Sequence, residues 1–268
     1  VGRNYLKFTA GGAATHSDHG REICHTLYEA SADGCYKVKD PEKLIRIAKE
    51  WGMETEGKDI YELAHEVALE GLMEYGKPFG TQRFLKRAPE SQQKLWEENE
   101  LAPHAIDREV SRSLHMAHMG CSSKPEALVK QSIRAGLSDG WGGSMMGTEL
   151  SDILFGTPKP IETEANLGVM VEENVNIVVH GHDPSLSEMI CEVADSPEMI
   201  AYAKEQGAKG ITISGVCCTS NEVAMRRGIP MAGNFLQQEN VVLTGACEAI
   251  VVDVQCIFPA LGPLSKCF

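Results

Sequence analysis

Four side chains in the second half of this sequence, His182, Cys217, Cys218 and Cys256, are soft metal donors. They stand at or just beyond the ends of three short, apolar, β-branched runs: NIVVH (Asn176 to His180), GITISGV (Gly210 to Val216) and AIVVDVQ (Ala249 to Gln255). Runs of this kind read as strands, and the segments between them have helical periodicity, so the pattern is strand, helix, strand, helix, strand. Such alternation builds a parallel sheet with crossover connections. Cys218 follows His182 by 36 residues and Cys256 follows Cys218 by 38, each the length of a strand and its crossover. In parallel sheets, loop residues just past neighbouring strands meet in a crevice at the carboxyl edge. An imidazole and two thiolates can therefore converge, and these donors suit iron–sulfur, nickel, copper or zinc better than magnesium or calcium. Taken singly, each of these residues reads better as core packing, because His is a common core residue and Cys is among the most buried residue types.

A second constellation lies near the start. His16, His19 and His25 recur in steps of three and six residues, with Glu22 in the gap. A step of three advances about 4.5 Å along a helix and drifts around it. The four groups thus form a ladder able to carry protons, or a solvated polar face, since Ser17, Asp18 and Arg21 are polar too. His115, His118 and Cys121 also have ligand-like spacing, but Met116 and Met119 interleave them and Gly120 ends the helix. That favours interhelical packing, with Met filling irregular gaps.

The elements that position these residues fall into two halves. Ala13 to Ser31 reads as a helix starting after the Gly11–Gly12 interruption. Asp40–Pro41 opens a helix with an apolar stripe at Leu44, Ile47, Ala48 and Trp51, closed by Gly52; Asp59 opens another with Ile60, Leu63, Ala64, Val67, Ala68 and Leu72 inward and His65 on its other side. Further helices are expected over 89–99, 107–119 and 123–136. The glycine-rich GWGGSMMG (Gly140 to Gly147) requires a sharp turn or a close approach, and lacks the Lys-Ser or Lys-Thr of a phosphate loop. Pro158 and Pro160 then break helix, placing a seam near 157–170. Beyond it, helices are expected over 184–194, 197–207 and 222–227, a short strand near Ile229, a helical stretch over 237–249 carrying Cys247, and a last helix from Pro259 to Phe268. The predicted fold class is α + α/β: an all-helical domain over 1–157, then a Rossmann-like parallel-sheet domain over 158–268.

Composition narrows the function classes. The 268 residues are 43% hydrophobic with a formal charge of −13, and no Lys/Arg cluster offers a nucleic-acid surface. No apolar run approaches the roughly 20 residues of a membrane span and no leader pattern precedes the first helix, so a cytoplasmic protein is expected. Nine cysteines (24, 35, 121, 191, 217, 218, 247, 256 and 267), odd in number and without a CxxC, read as thiols or metal ligands rather than a disulfide framework. Any cluster must be assembled from distant residues.

The strings VNIVVHGHDPSLSEMI, GAKGITISGVCCTSNEVAMRRGIPMAGN and LTGACEAIVVDVQCIFPAL closely resemble the catalytic subunit of anaerobic nickel–iron–sulfur carbon monoxide dehydrogenases, as do AGGAATHSDHGRE, AHMGCSSKPEAL and GTELSDILFGTPKP upstream. The resemblance covers nearly the whole chain. It implies a cluster of the Ni-4Fe-4S type, with His182, Cys218 and Cys256 as its metal ligands and Cys217 a near neighbour. It also implies His16 as an acid–base group, with His19 and His25 continuing a proton path. The implied reaction is reversible oxidation of CO with water to CO2, two protons and two electrons. The implied partners are a ferredoxin-like acceptor, a second copy in a homodimer and, in some relatives, an acetyl-CoA synthase. The family also carries an upstream segment binding further [4Fe–4S] clusters and a downstream domain with the remaining ligands and a Lys. The chain therefore reads as a central fragment or one chain of a split assembly, inactive when isolated. Hybrid-cluster proteins, which share the fold and reduce hydroxylamine, and a non-catalytic scaffold module are the alternative readings.

Overall fold

The computed structural model describes every residue except Cys35, Gln255 and Phe268, together with the side chain of Asp33, which also lies outside the description. One of the nine cysteines and the predicted ends of the third strand and the last helix thus lie outside the described residues. The chain divides into two compact units, Val1–Gly156 and Thr157–Phe268.

The first unit is helical. Its elements are α1 (Gly2–Asp33), α2 (Pro41–Glu50), α3 (Ile60–Gly76), α4 (Glu90–Glu98), α5 (Ile106–Ala117), α6 (Pro125–Ser138) and α7 (Met145–Phe155). The start signals behave as their chemistry requires: Asp40 accepts from the Lys43 amide with Pro41 in the first turn, and Asp59 accepts from the Tyr61 amide. Helix α1 is longer than the sequence suggests. It runs through Gly11 and Gly12, which face solvent, so glycine there costs helix propensity without forcing a break. It packs against α3, α5, α6 and α7. Ile23, Cys24 and Leu27 of α1 meet Leu44 and Ile47 of α2, Leu63, Val67 and Ala68 of α3, and Leu150 and Ile153 of α7 in one core.

The glycine-rich run is helical too. Asp139–Ser144 is a single π-helical turn joining α6 to α7, the form in which an extra residue is accommodated inside a helix, often beside a functional group. Its glycines permit close approach. A Cβ on Gly142 would collide with the side-chain amide of Gln82, and one on Gly143 would lie 2.9 Å from the Cβ of His16 and 2.7 Å from Ile106 Cδ1.

The second unit is a four-stranded parallel sheet in the order β3-β2-β1-β4, formed by β1 (Val175–Gly181), β2 (Ile211–Val216), β3 (Met231–Gly233) and β4 (Ala249–Val252). Its helices are α8 (Pro184–Ala194), α9 (Pro197–Glu205), α10 (Cys217–Arg227), α11 (Gln238–Leu243) and α12 (Leu261–Leu264). Adjacent residues of β1 face opposite cores: Val178 packs with Val169, Val216 and Val241, and Val179 with Cys191, Ile213 and Val223. The predicted class, a helical part followed by a Rossmann-like sheet, is the one observed.

Four elements of the second unit depart from expectation by more than two residues. Strand β4 stops at Val252 instead of running towards Gln255, because the Asp253 side chain turns to bind backbone amides of the β1 loop. It forms an edge of the sheet and is only partly covered. Helix α10 begins at Cys217, directly after β2, rather than near Glu222. Helix α11 ends at Leu243, leaving Cys247 in the connection to β4, and α12 is a single short turn of helix.

Candidate metal centre

The register of the sheet sets the site. His180 of β1 is level with Val216 of β2 on one side and Val252 of β4 on the other. One or two residues beyond that row come His182, Cys217 with Cys218, and Asp253, so three chain segments turn away from the sheet at one height. The β1–β2 pairing persists to an isolated bridge between Gly181 and Cys217.

Asp253 locks two of these segments. Its Oδ1 accepts the His182 amide at 2.5 Å and its Oδ2 the Asp183 amide at 2.9 Å, while its own loop closes through the Val254 amide. Burial pushes the Asp253 carboxyl up from its ordinary value, and the three amide donors only partly oppose that. Gly181 makes the approach possible: at φ 140° it adopts a conformation that side chains rarely take, and a Cβ there would collide with the Asp253 carboxylate. Asp253 has only a weak signal in the sequence, an acidic residue interrupting an otherwise apolar run.

Beside this lock the thiols gather. The Sγ atoms of Cys217 and Cys218 stand 3.9 Å apart. Burial pushes the Cys217 thiol up to about 12, and the neighbouring thiols of Cys218 and Cys256 add to the shift. Among non-glycine described residues, positive φ occurs at Glu100, Cys217 and Cys256. Two of these three strained positions thus carry thiols of the candidate centre, as expected where backbone strain serves a site. A cavity of about 410 Å³ opens beside Cys217 and Cys218, lined also by Asn221, Met231, Asn234 and Phe235.

Among the described residues, no three His, Cys, Asp or Glu side chains stand as ligands of a single ion. Thiol-rich donors delivered from separate loops suit instead an iron–sulfur cluster, whose ligands sit at different corners several ångströms apart. The residues present fit such a group, as part of its ligand set.

The helical unit carries the second constellation. His16, His19, Glu22 and His25 all lie on α1. His16 Nδ1 bonds the carboxylate of Asp139, the first residue of the π turn. His16 is half-buried and His19 buried, while Glu22 and His25 are exposed. On a regular helix each step of three falls back about 60°, so the series winds halfway round α1, from its covered side to solvent. His65 is held by Tyr28, through its carbonyl at 3.3 Å and ring centroids 3.8 Å apart. His115, His118 and Cys121 are exposed. Met116 packs against the cluster of Leu6, Ala117 and Leu128, but Met119 is 82% exposed and fills no gap.

The model of the Prismane/CO dehydrogenase family matches residues 1–268. Carbon monoxide dehydrogenase 1 of Methanosarcina acetivorans is 49% identical and that of Methanosarcina mazei 47% identical, each over 100% of this chain and 43% of the relative's length. A nickel-free carbon monoxide dehydrogenase structure from Thermococcus sp. AM4 superposes with a TM-score of 0.95 at 50% identity, covering 100% of this chain and 43% of that one. Carbon monoxide dehydrogenase IV from Carboxydothermus hydrogenoformans gives 0.93 at 41%, covering 100% and 42%. The chain therefore spans less than half the length of the relatives it matches. The matched length, the identity and the shared fold together make this chain a member of the Prismane/CO dehydrogenase family.

Proposed function

We propose that this chain supplies His182, Cys218 and Cys256 to a nickel–iron–sulfur cluster at which a longer protein interconverts CO and water with CO2, two protons and two electrons. The observation that carries this reading is the row of strand ends that delivers the donor-bearing loops to one edge of the sheet. When bound, the cluster would supply the redox and Lewis-acid chemistry. The chain's own residues hold the donors and handle protons. Asp253 fixes the His182 loop through two backbone amides, so that donor is oriented before metal arrives. His16 is held at Nδ1 by Asp139, so the proton it exchanges is the one on Nε2, and His19 followed by His25 leads along α1 towards solvent. Cys217, next in the chain to Cys218, serves as a neighbour to the centre.

Three donors are too few to close such a cluster, so the remainder, along with further [4Fe–4S] centres, is assigned to the longer protein. On this reading the 268-residue chain alone does not oxidise CO. A cytoplasmic homodimer passing electrons to a ferredoxin-like acceptor, with an acetyl-CoA synthase as a partner, completes the proposal. The test uses the full-length protein prepared anaerobically with nickel. Cys218→Ala, Cys256→Ala and His182→Ala are expected to lose nickel and CO-dependent viologen reduction together, whereas His16→Gln keeps its metal and loses activity by about 10²–10⁴-fold. Full nickel content in all three ligand variants would reject the ligand set. Iron without nickel in the wild type, with hydroxylamine reduction, would favour a hybrid-cluster protein.

A further inference from the structure

Behind the loop that carries Cys256 lies a buried polar pair that the proposed chemistry does not use. His180 is 1% exposed and Gln238, the first residue of α11, is fully buried. The Gln238 amide uses its full bonding capacity. Its Oε1 accepts the Phe258 backbone amide at 2.8 Å and His180 Nε2 at 2.9 Å. Its Nε2 donates to the carbonyls of Phe235 at 2.6 Å and Cys256 at 2.8 Å. This pattern permits one amide orientation, because a backbone N–H needs the oxygen and two carbonyls need the NH2. It also requires His180 to carry its proton on Nε2. The other imidazole nitrogen, Nδ1, is an acceptor in that tautomer and lies 3.4 Å from the carbonyl of Val216, the residue before Cys217, as a packing contact rather than a hydrogen bond. A T-shaped contact between Phe235 and Phe258, centroids 6.4 Å apart, closes the loop from the side.

His180 thus stands between the end of β2, which leads into Cys217 and Cys218, and the loop of Cys256, while lying two residues before His182 on β1. Burying a glutamine and a histidine costs stability unless every polar atom is paired, and an apolar pair would fill the space without that demand. What the polar pair adds is a fixed direction for the chain. Cys256 needs this, because its φ of 57° is unfavourable for a residue with a Cβ and must be imposed from outside.

We propose that His180 and Gln238 form a positioning pair that presets Cys256, bracketing it through its own carbonyl and the Phe258 amide and tying its loop to the strand ends that carry the other donors. The inference rests on the reading of Cys256 as a cluster ligand. The pair touches no substrate and acts through the loop.

The experiment compares wild type, Gln238→Leu, Gln238→Glu, His180→Phe and Cys256→Ala in the full-length protein under anaerobic conditions. Hydrogen exchange of the peptide carrying Cys256 and Phe258 is measured in metal-free protein, and nickel content and the electron paramagnetic resonance signature after loading. In Gln238→Leu the peptide is expected to exchange about tenfold faster, the factor that loss of one net hydrogen bond represents. Exchange in α3 stays unchanged, nickel content falls, and the residual cluster signal shifts. Gln238→Glu keeps the acceptor for Phe258 and His180 but sets an oxygen against the carbonyls of Phe235 and Cys256, so its peptide exchanges at least as fast; His180→Phe serves if Gln238→Leu does not fold. Wild-type exchange at this peptide together with wild-type nickel content and signal in Gln238→Glu and His180→Phe would overturn the proposal. If Cys256→Ala keeps full nickel, the ligand assignment fails instead, and the exchange measurement still decides whether the pair holds the loop.

Discussion

At the scale of single residues, the candidate centre depends on contacts that leave no room for substitution. Gly181 lets the Asp253 carboxylate sit against the β1 loop, and its φ of 140° excludes most side chains. Gly181→Ala is expected to cost about 1–3 kcal/mol in thermal or denaturant unfolding, combining strain with displacement of Asp253. Gly228 is the control: it is also at positive φ, 75°, but open space surrounds the place of its Cβ. Gly228→Ala should therefore cost only the strain, and leave the exchange rates of the His182 and Asp183 amides unchanged. Equal effects of the two substitutions on those amides would contradict the role given to Asp253.

At the scale of elements, the helical unit is pinned by a buried ion pair between α5 and α6. Glu109 is 1% exposed at its side chain and Arg134 9%. Arg134 reaches both carboxylate oxygens, at 2.6 and 3.1 Å, and Gln131 and the His104 amide add to them. Burial alone would raise the Glu109 carboxyl, but these donors outweigh it and hold it below its usual value. A depressed folded value means that the stabilisation is fully present above the unfolded pKa, about 4.3, and is lost as pH falls through the folded one. Acid unfolding should therefore begin below about pH 4.3 and show a weaker pH dependence in Glu109→Gln, measured by circular dichroism. Glu109→Ala strands a buried guanidinium and should cost about 3–5 kcal/mol at neutral pH. An unaltered acid profile in Glu109→Gln would refute this account.

At the scale of the whole molecule, each unit has its own core, and the three proposed donors all belong to the second. Metal that binds only the folded form stabilises that form by linkage. Anaerobic removal of metal from the full-length protein with a chelator should accordingly raise hydrogen exchange in the peptides carrying His182, Cys218 and Cys256, and leave α2 and α3 near their original rates. A uniform rise across both units would indicate a cluster coupled to the entire fold. No described helix is long and apolar enough to cross a membrane.

Sequence alone determined which chemistry was available and roughly where. The β-branched runs, the helix-opening Asp40 and Asp59, and the apolar stripes at Leu44 to Ala48 and Leu63 to Ala68 are local signals, because strand and helix periodicity and capping act over a few residues. The proposed donors His182, Cys218 and Cys256, with Cys217 beside them, were legible because each follows a strand signal. Tertiary structure decided the rest. That Gly140 to Gly147 forms a π turn and continuing helix against His16 depends on α1 passing beside it, which no local pattern encodes. Asp253 acts on the His182 amide across 71 residues of chain, Asp139 on His16 across 123, and Gln238 on His180 across 58. These roles come from register and packing, since a carboxylate or amide has no intrinsic partner until the fold brings a donor to it.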